Sequence, residues 1–176
     1  MKIIAISGHA QNGKDTVAKM LEKQLSQNNR ALIAHYADLL KYICKTFFEW
    51  DGKKDEKGRS LLQFVGTDVV REKAPDFWVD FLIDVFNLFE DCWDFVIIPD
   101  ARFPNEIDKL REYYFDVTHL RVTRGNFKSP LSKEQLRHPS ETALDCVKPD
   151  YFIVNNGSLD ELKNKVSSFI KEALHV

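Results

Sequence analysis

The chain has 176 residues, 44 % of them hydrophobic and 30 % charged, the make-up of one globular domain with a single sizeable core. A formal charge of −2 excludes a global basic field that would recruit a nucleic acid polymer, so any anion site has to be local. Cys44, Cys92 and Cys146 are odd in number and lack metal-ligand spacing, which fits reduced thiols, and the opening MKIIAISG is too short an apolar run for a signal peptide.

Residues 2–6 (KIIAI) form a short, β-branched apolar run, the pattern of a strand buried on both faces. Over 13–27 the spacing turns helical, with Val17, Met20, Leu21 and Leu25 on one stripe. A second buried strand is expected over 31–37, followed by a helix over 39–48 capped by Asp38. Residues 49–58 (EWDGKKDEKG) read as a loop, and about 59–73 and 76–91 as helices. In the second of these Asp80, Asp84, Asn87 and Asp91 form a polar stripe, which helix amphipathicity explains without a metal. Phe77, Phe81, Leu82, Val85, Phe86 and Phe89 fill the rest of that helix, either as core or as the face of a homodimer. The acidic residues among 77–99 exclude a membrane span.

Residues 95–98 (FVII) are a third apolar strand, and Pro104 suits the first position of the next helix. Residues 117–123 and 151–154 read as the fourth and fifth strands. Ser158 and Glu161 make a capping box that opens a last amphipathic helix. Strands alternating with helices imply a parallel sheet covered on both faces, with its ligands beyond the carboxyl ends of the strands. Gly8, Asp38, Asp100 and Arg124 all fall just after expected strands, so function-bearing groups converge on one edge.

Gly8-x-x-x-x-Gly13-Lys14 lies at the first strand–helix junction and matches a phosphate-binding loop up to its last position. Glycines let the backbone wrap so that its N–H groups face phosphate oxygens, the helix adds its positive end, and lysine reaches the outer phosphates. Asp15 stands where such loops carry a hydroxyl for Mg²⁺. A carboxylate about 4 Å from phosphate would be repelled by a few kcal/mol, so it either meets Mg²⁺, with Thr16 beside it, or is an ordinary first-turn helix residue.

The remaining candidates favour phosphoryl transfer between small molecules. Arg59, Gln63, Asp68 and Arg71 recur at helical spacing after the polar loop, and Asp100 and Arg102 follow the third strand. Asp100 ends an apolar strand beside the loop strand, where a Mg²⁺-associated carboxylate belongs. Residues 124–145 are polar and carry Lys128, Lys133, Arg137, His138 and Glu141, the composition of a lid. Arg71 reads equally as a surface ion-pair partner, Lys133 as solvated and His138 as packing within the lid.

Taken together, GHAQNGKDTVA (8–18), YADLLK (36–41), LLQFVGTDVVR (61–71), FWVDF (77–81), IIPDARFPNE (97–106), HPSETALD (138–145) and DYFIVNNGSLDEL (150–162) resemble the phage and bacterial deoxynucleoside monophosphate kinases. The resemblance implies an α/β P-loop kinase fold of three layers: a five-stranded parallel sheet with helices on both faces and a lid, in a single domain over 1–176. Its acceptor-binding helical region would span about 38–91 and its lid about 124–145. It implies ATP with Mg²⁺ as donor, bound by Gly8, Gln11, Asn12, Gly13, Lys14, Asp15, Thr16 and Val17, by Arg137 of the lid, and by Asn155 and Asn156 near adenine. The acceptor, a 2′-deoxynucleoside 5′-monophosphate, would meet Asp38, Lys41, Gln63, Asp68, Arg71, Trp78, Arg102 and Glu141. Catalysis would fall to Lys14, Asp15, Arg71, Asp100, Arg102 and Arg137, with Mg²⁺ at Asp15, Thr16 and Asp100. A cytoplasmic setting follows, that of the host where a phage encodes the chain, with no membrane and no polymer as partner. The terminal D-x-x-I-x-N-x-G-S pattern is shared with dephospho-coenzyme A kinases, which leaves another metabolite as an alternative acceptor. Asp15 leaves open a nucleotide-binding module without catalysis.

Overall fold

The computed structural model describes residues 1–114, 116–125, 129 and 131–175. Strands β1 (Lys2–Ser7), β2 (Ala31–Ile33), β3 (Phe95–Ile98), β4 (Val117–Thr123) and β5 (Tyr151–Val154) form one parallel sheet in the order β2-β3-β1-β4-β5. Alternation along each strand feeds two cores. Ile4, Ile6, Ile97, Leu120 and Val122 pack on α1 (Lys14–Leu25) and α8 (Leu159–Phe169), which contribute Val17, Leu21, Val166 and Phe169. Ile3, Ala5, Val96 and Ile98 pack on α4 (Phe77–Leu88) and α5 (Pro104–Tyr113), which contribute Val79, Phe86, Ile107 and Leu110. Each buried Val, Leu, Ile or Phe among them stabilises the fold by about 1.5–3 kcal/mol.

Between β2 and β3 the chain builds a helical outcrop. It consists of α2 (Ala37–Phe47), α3 (Glu56–Gln63), a π-helical continuation over Phe64–Arg71, and α4. Cys44, Trp50 and Val65 give part of it a small core of its own. Between β4 and β5 lie two short helices, α6 (Lys133–Arg137) and α7 (Pro139–Thr142). Lys128 of the expected lid lies outside the described residues.

Several local expectations need correction. β2 ends at Ile33, and α2 starts at Ala37 with Asp38 inside it. The cap comes from elsewhere: the Asp100 carboxylate accepts from the N–H groups of Tyr36 (3.1 Å) and Ala37 (3.0 Å). α3 begins inside the expected polar loop because Asp55 caps it, accepting from Gly58 N–H at 2.8 Å. Phe77, Phe81 and Phe89 are 41–50 % exposed, so this part of the aromatic stripe is surface and the core belongs to Trp78, Leu82 and Phe86. Asp80 of the acidic stripe pairs with Lys109 at 2.6 Å.

His119 stands in the middle of β4 with no solvent exposure, its Nε2 2.7 Å from Ser7 Oγ and its Nδ1 without a hydrogen-bond partner. Burial lowers its pKa from 6.5 to about 4, with Arg111 and Arg121 in the same direction and Asp150 opposing. The unfolded chain therefore takes up a proton at His119 before the folded one does, and stability falls as pH drops from about 6.5 towards 4. Urea denaturation at pH 7 and pH 4.5 should show the native chain losing roughly 2–3 kcal/mol more than a His119→Gln variant. Equal losses would mean that His119 does not titrate in this range.

Candidate active site

The loop between β1 and α1 leaves the sheet at its carboxyl edge. Gly8 (φ 137°) and Gly13 (φ 97°) both hold positive φ. A Cβ at Gly8 would stand 2.1 Å from the Val122 carbonyl oxygen, and one at Gly13 2.4 Å from Asn155 Nδ2. Only glycine lets this loop lie so close to β4 and to the turn after β5. Asn12 points inward, its Nδ2 donating to Val122 O (3.3 Å) while its own carbonyl accepts from Asn155 Nδ2 (3.0 Å). A cavity opens above the loop, lined by Gln11, Gly13, Lys14, Asp15, Thr16, Arg124, Asn155 and Leu159 among others.

Lys14 is only 8 % exposed, and its Nζ donates to the carbonyls of Gly8 (2.7 Å) and His9 (3.0 Å). Burial first, and the Arg102 charge second, lower its pKa to about 7. A buried cation held this way is primed for an anion, which would restore its charge. Asp15, in the first turn of α1, is exposed, with the imidazole of His35 4.0 Å from its carboxylate.

A second cavity lies between the outcrop and the start of α5. Leu40, Leu62, Gly66, Trp78 and Phe103 give it apolar walls, and Lys41, Lys54, Arg59, Arg71 and Arg102 supply positive charge. The Arg71 guanidinium lies 4.0 Å over the Phe103 ring and donates to Glu106, to Asn105 Oδ1 (3.3 Å) and to Pro75 O (2.9 Å). Glu106 is 1 % exposed and also accepts from the N–H groups of Arg102 (2.6 Å) and Phe103 (3.1 Å). Burial pushes the Glu106 carboxyl above its usual range, against the pull of Arg71 and the two amides. Tyr36 closes the floor, its hydroxyl donating to Glu106 O at 3.2 Å.

One wall of the outcrop cavity is tied to the loop. Glu141 of α7, with a side chain 6 % exposed, accepts from Ala10 N–H of the loop (3.0 Å) and from Arg102 Nη1 (2.6 Å). α6 and α7 are themselves docked on the outcrop. Gln135 Nε2 donates to Glu56 O (3.3 Å), Gln63 Nε2 to Ser140 Oγ (3.4 Å), and His138 Nε2 lies 3.3 Å from Asp68 Oδ1.

Comparison with known proteins now bears on this geometry. The family model for deoxynucleotide monophosphate kinase matches residues 43–166. The chain belongs to that family. A deoxynucleotide monophosphate kinase of Enterobacteria phage T4 is 34 % identical over 115 residues, covering 64 % of this chain and 45 % of the relative. The one from Escherichia phage RB69 is 29 % identical over 115 residues, covering 64 % and 44 %. The chain thus spans less than half the length of these relatives. Among solved structures, a sugar kinase from Janibacter is similar with a TM-score of 0.58 at 14 % identity, covering 98 % of this chain and 96 % of that one. An APS kinase from Mycobacterium tuberculosis in complex with AMPPNP and APS gives 0.53 at 14 %, covering 97 % and 98 %. These likenesses establish the P-loop kinase fold.

Within this family member, Gln11, Gly13, Lys14, Asp15, Thr16 and Asn155 meet at the loop cavity. Lys41, Gln63, Arg71, Trp78, Arg102 and Glu141 meet at the outcrop cavity, as does Asp100. Other expected residues stand elsewhere. Val17 is a core residue whose N–H closes the first helical turn on Gly13 O. Asn156 Oδ1 accepts from Gly125 N–H, and Asp38 pairs with Lys41 at 2.7 Å. Asp68 faces His138, and Arg137 is exposed at the end of α6 and lines neither cavity. Asp100 is the cap of α2 and lies apart from the Asp15–Thr16 cavity.

Tyr36, Glu106 and the Ala10 amide were not legible as site groups. Glu106 occupies the first turn of a helix, where a carboxylate is ordinary, and only its burial marks it. Arg124, which the sequence placed on the functional edge just after a strand, lines the loop cavity. Removing Glu106 leaves Arg71 and two amides without their acceptor. Glu106→Ala should destabilise the fold by ~3–5 kcal/mol in urea denaturation, and a loss under 1 kcal/mol would refute the buried pair as drawn.

Proposed function

We propose that the chain transfers the γ-phosphate of ATP to a 2′-deoxynucleoside 5′-monophosphate, yielding ADP and a deoxynucleoside diphosphate. The observation that carries this reading is a link: one carboxylate, Glu141, joins the Ala10 amide of a phosphate-type loop to Arg102 of a cation-rich cavity. Two anion-receiving cavities linked in this way suit in-line transfer between two phosphates. The printed names of the phage relatives support the acceptor class, and the AMPPNP complex of the fold neighbour supports an ATP-type donor.

The loop cavity takes the donor, with Lys14 neutralising its outer phosphates and Asn155, Arg124 and Leu159 lining the way to its base. The residues present suit Mg²⁺: the exposed Asp15 carboxylate and the Thr16 hydroxyl are oxygen ligands in one cavity, and Mg²⁺ takes one or two protein oxygens with the rest from phosphates and water. Bound there, Mg²⁺ shields the donor's charge. Arg71 and Arg102 hold the acceptor monophosphate, Trp78 and Leu40 flank its nucleoside, and Gln63 and Lys41 stand at polar positions of the same cavity. An oxygen of the acceptor phosphate forms the new bond to the γ-phosphorus as the bond to the β-bridging oxygen breaks. Positioning and positive charge suffice, without a general base.

Incubation with ATP, Mg²⁺ and a panel of deoxynucleoside monophosphates, ribonucleotides and dephospho-coenzyme A is expected to yield ADP with the deoxynucleotides. Absence of turnover with all of them, despite tight ATP binding, would support the non-catalytic alternative. Lys14→Met should lower kcat by about a hundredfold or more, as expected of a group that meets developing charge, with the thermal melt retained. Asp15→Ser should raise the Mg²⁺ concentration for half-maximal rate by roughly tenfold, the worth of one charge-assisted contact. An unchanged Mg²⁺ dependence would return Asp15 to a plain helix residue.

A further inference from the structure

Glu141 presents a problem for the reading just given, because a carboxylate beside two phosphate sites repels both ligands. Its side chain is 6 % exposed, and each of its oxygens has one dedicated partner: Oε2 the Ala10 N–H at 3.0 Å, Oε1 the Arg102 guanidinium at 2.6 Å. Arg102 also donates to Ser140 O at 3.2 Å, so α7 grips this arginine at two points. A groove on the other side of the same wall is lined by Gly8, Arg102, Arg121, Glu141 and Asp145. Asp145 there pairs with Arg121 and lies 3.2 Å from His9 Nε2, a second link from this segment to the loop.

We infer that Glu141 is a positioning residue which clamps the donor loop at Ala10 and aims Arg102 between the two cavities, and that it touches neither substrate. The inference rests on the kinase reading of the site and replaces the expected acceptor contact by Glu141. α7 is the brace that carries it. His138 caps α7 by accepting from Ser140 N–H, and faces Asp68, while Ser140 Oγ meets Gln63. One turn of helix thereby ties the loop, the arginine and the acceptor helices into a single unit. The charge pattern agrees: Arg102 depresses and Glu141 supports protonation of Lys14, so all three charges lie within one electrostatic neighbourhood.

The test separates aim from affinity. Glu141→Gln keeps the shape, and it removes a charge that repels phosphate while leaving Arg102 unmatched. Tripolyphosphate binding, read by calorimetry, should therefore tighten about threefold or more. Over the same substitution kcat should fall by at least about tenfold, because a misaimed group acts on the transition state. Arg102→Gln should lower kcat similarly, and the double variant should lose nothing beyond the larger single loss. Weakened binding together with slowed turnover would mark a merely structural role and overturn the inference, as would an unchanged kcat or losses that multiply. A native chain that turns over no deoxynucleoside monophosphate would overturn the kinase reading instead. The tripolyphosphate measurement needs no acceptor and then decides the clamp: Glu141→Gln must change affinity more with Arg102 present than in the Arg102→Gln chain, and equal changes sink it.

Discussion

Lys14 keeps its ammonium among the carbonyls of Gly8 and His9 in a nearly closed setting, and the rest of the site is arranged around that buried cation. Removing an ammonium from water is costly, and that burial is the main reason its pKa is lowered. The loop can impose it because two glycines at positive φ press the backbone against β4 and the turn after β5, leaving the lysine nowhere more hydrated to go. An anion seated above the loop relieves the strain on the charge.

The acceptor side follows the opposite logic, with cations held by carboxylates that are themselves buried. Glu106 fixes Arg71, Glu141 fixes Arg102, and Asp100 fixes the start of α2. Each of these three carboxylates holds a neighbouring group in place. Such pairing lowers the net charge of the cavity, but it limits the rotamers open to long arginine side chains, and preorganisation of that kind is what phosphoryl transfer draws on. Phe103 adds a flat surface under Arg71, which an alkyl ammonium in that place could not use in the same way.

How much of this was legible depended on whether a signal was local. β1, β3, β4 and β5 announce themselves because a strand buried on both faces is apolar at consecutive positions. β2 was read too long because its sequel HYA looks equally apolar, whereas the chain there turns away to meet Asp100, a partner 64 residues distant. The π-helical run over Phe64–Arg71 has no sequence mark distinguishing it from α-helix, though it carries Gly66, Thr67 and Arg71 to the cavity. At the site, the glycine–lysine loop was plain from spacing, Arg102 stood out just after a strand, and Gln63 and Arg71 shared a helical spacing that left Arg71 equally readable as a surface ion-pair partner. Glu106 and the bond from Ala10 to Glu141 were hidden because burial and long-range pairing are properties of the folded chain. Arg137 was implied by the resemblance, and it lines neither cavity, whereas Arg102 is held by this segment through Ser140 and Glu141.

The division of labour also explains which comparison speaks to which question. Kinases as different as those for sugars and for APS share this fold at about 14 % identity, so the fold by itself leaves the acceptor open. The family model begins at residue 43, past the loop, and runs through the outcrop, the start of α5, α7 and most of α8. The family match therefore lies on the outcrop and on the segment that ties it to the loop. These parts are held by a few buried ion pairs and one turn of helix. On the kinase reading proposed above, those contacts, more than the generic loop, would set which phosphate acceptor fits.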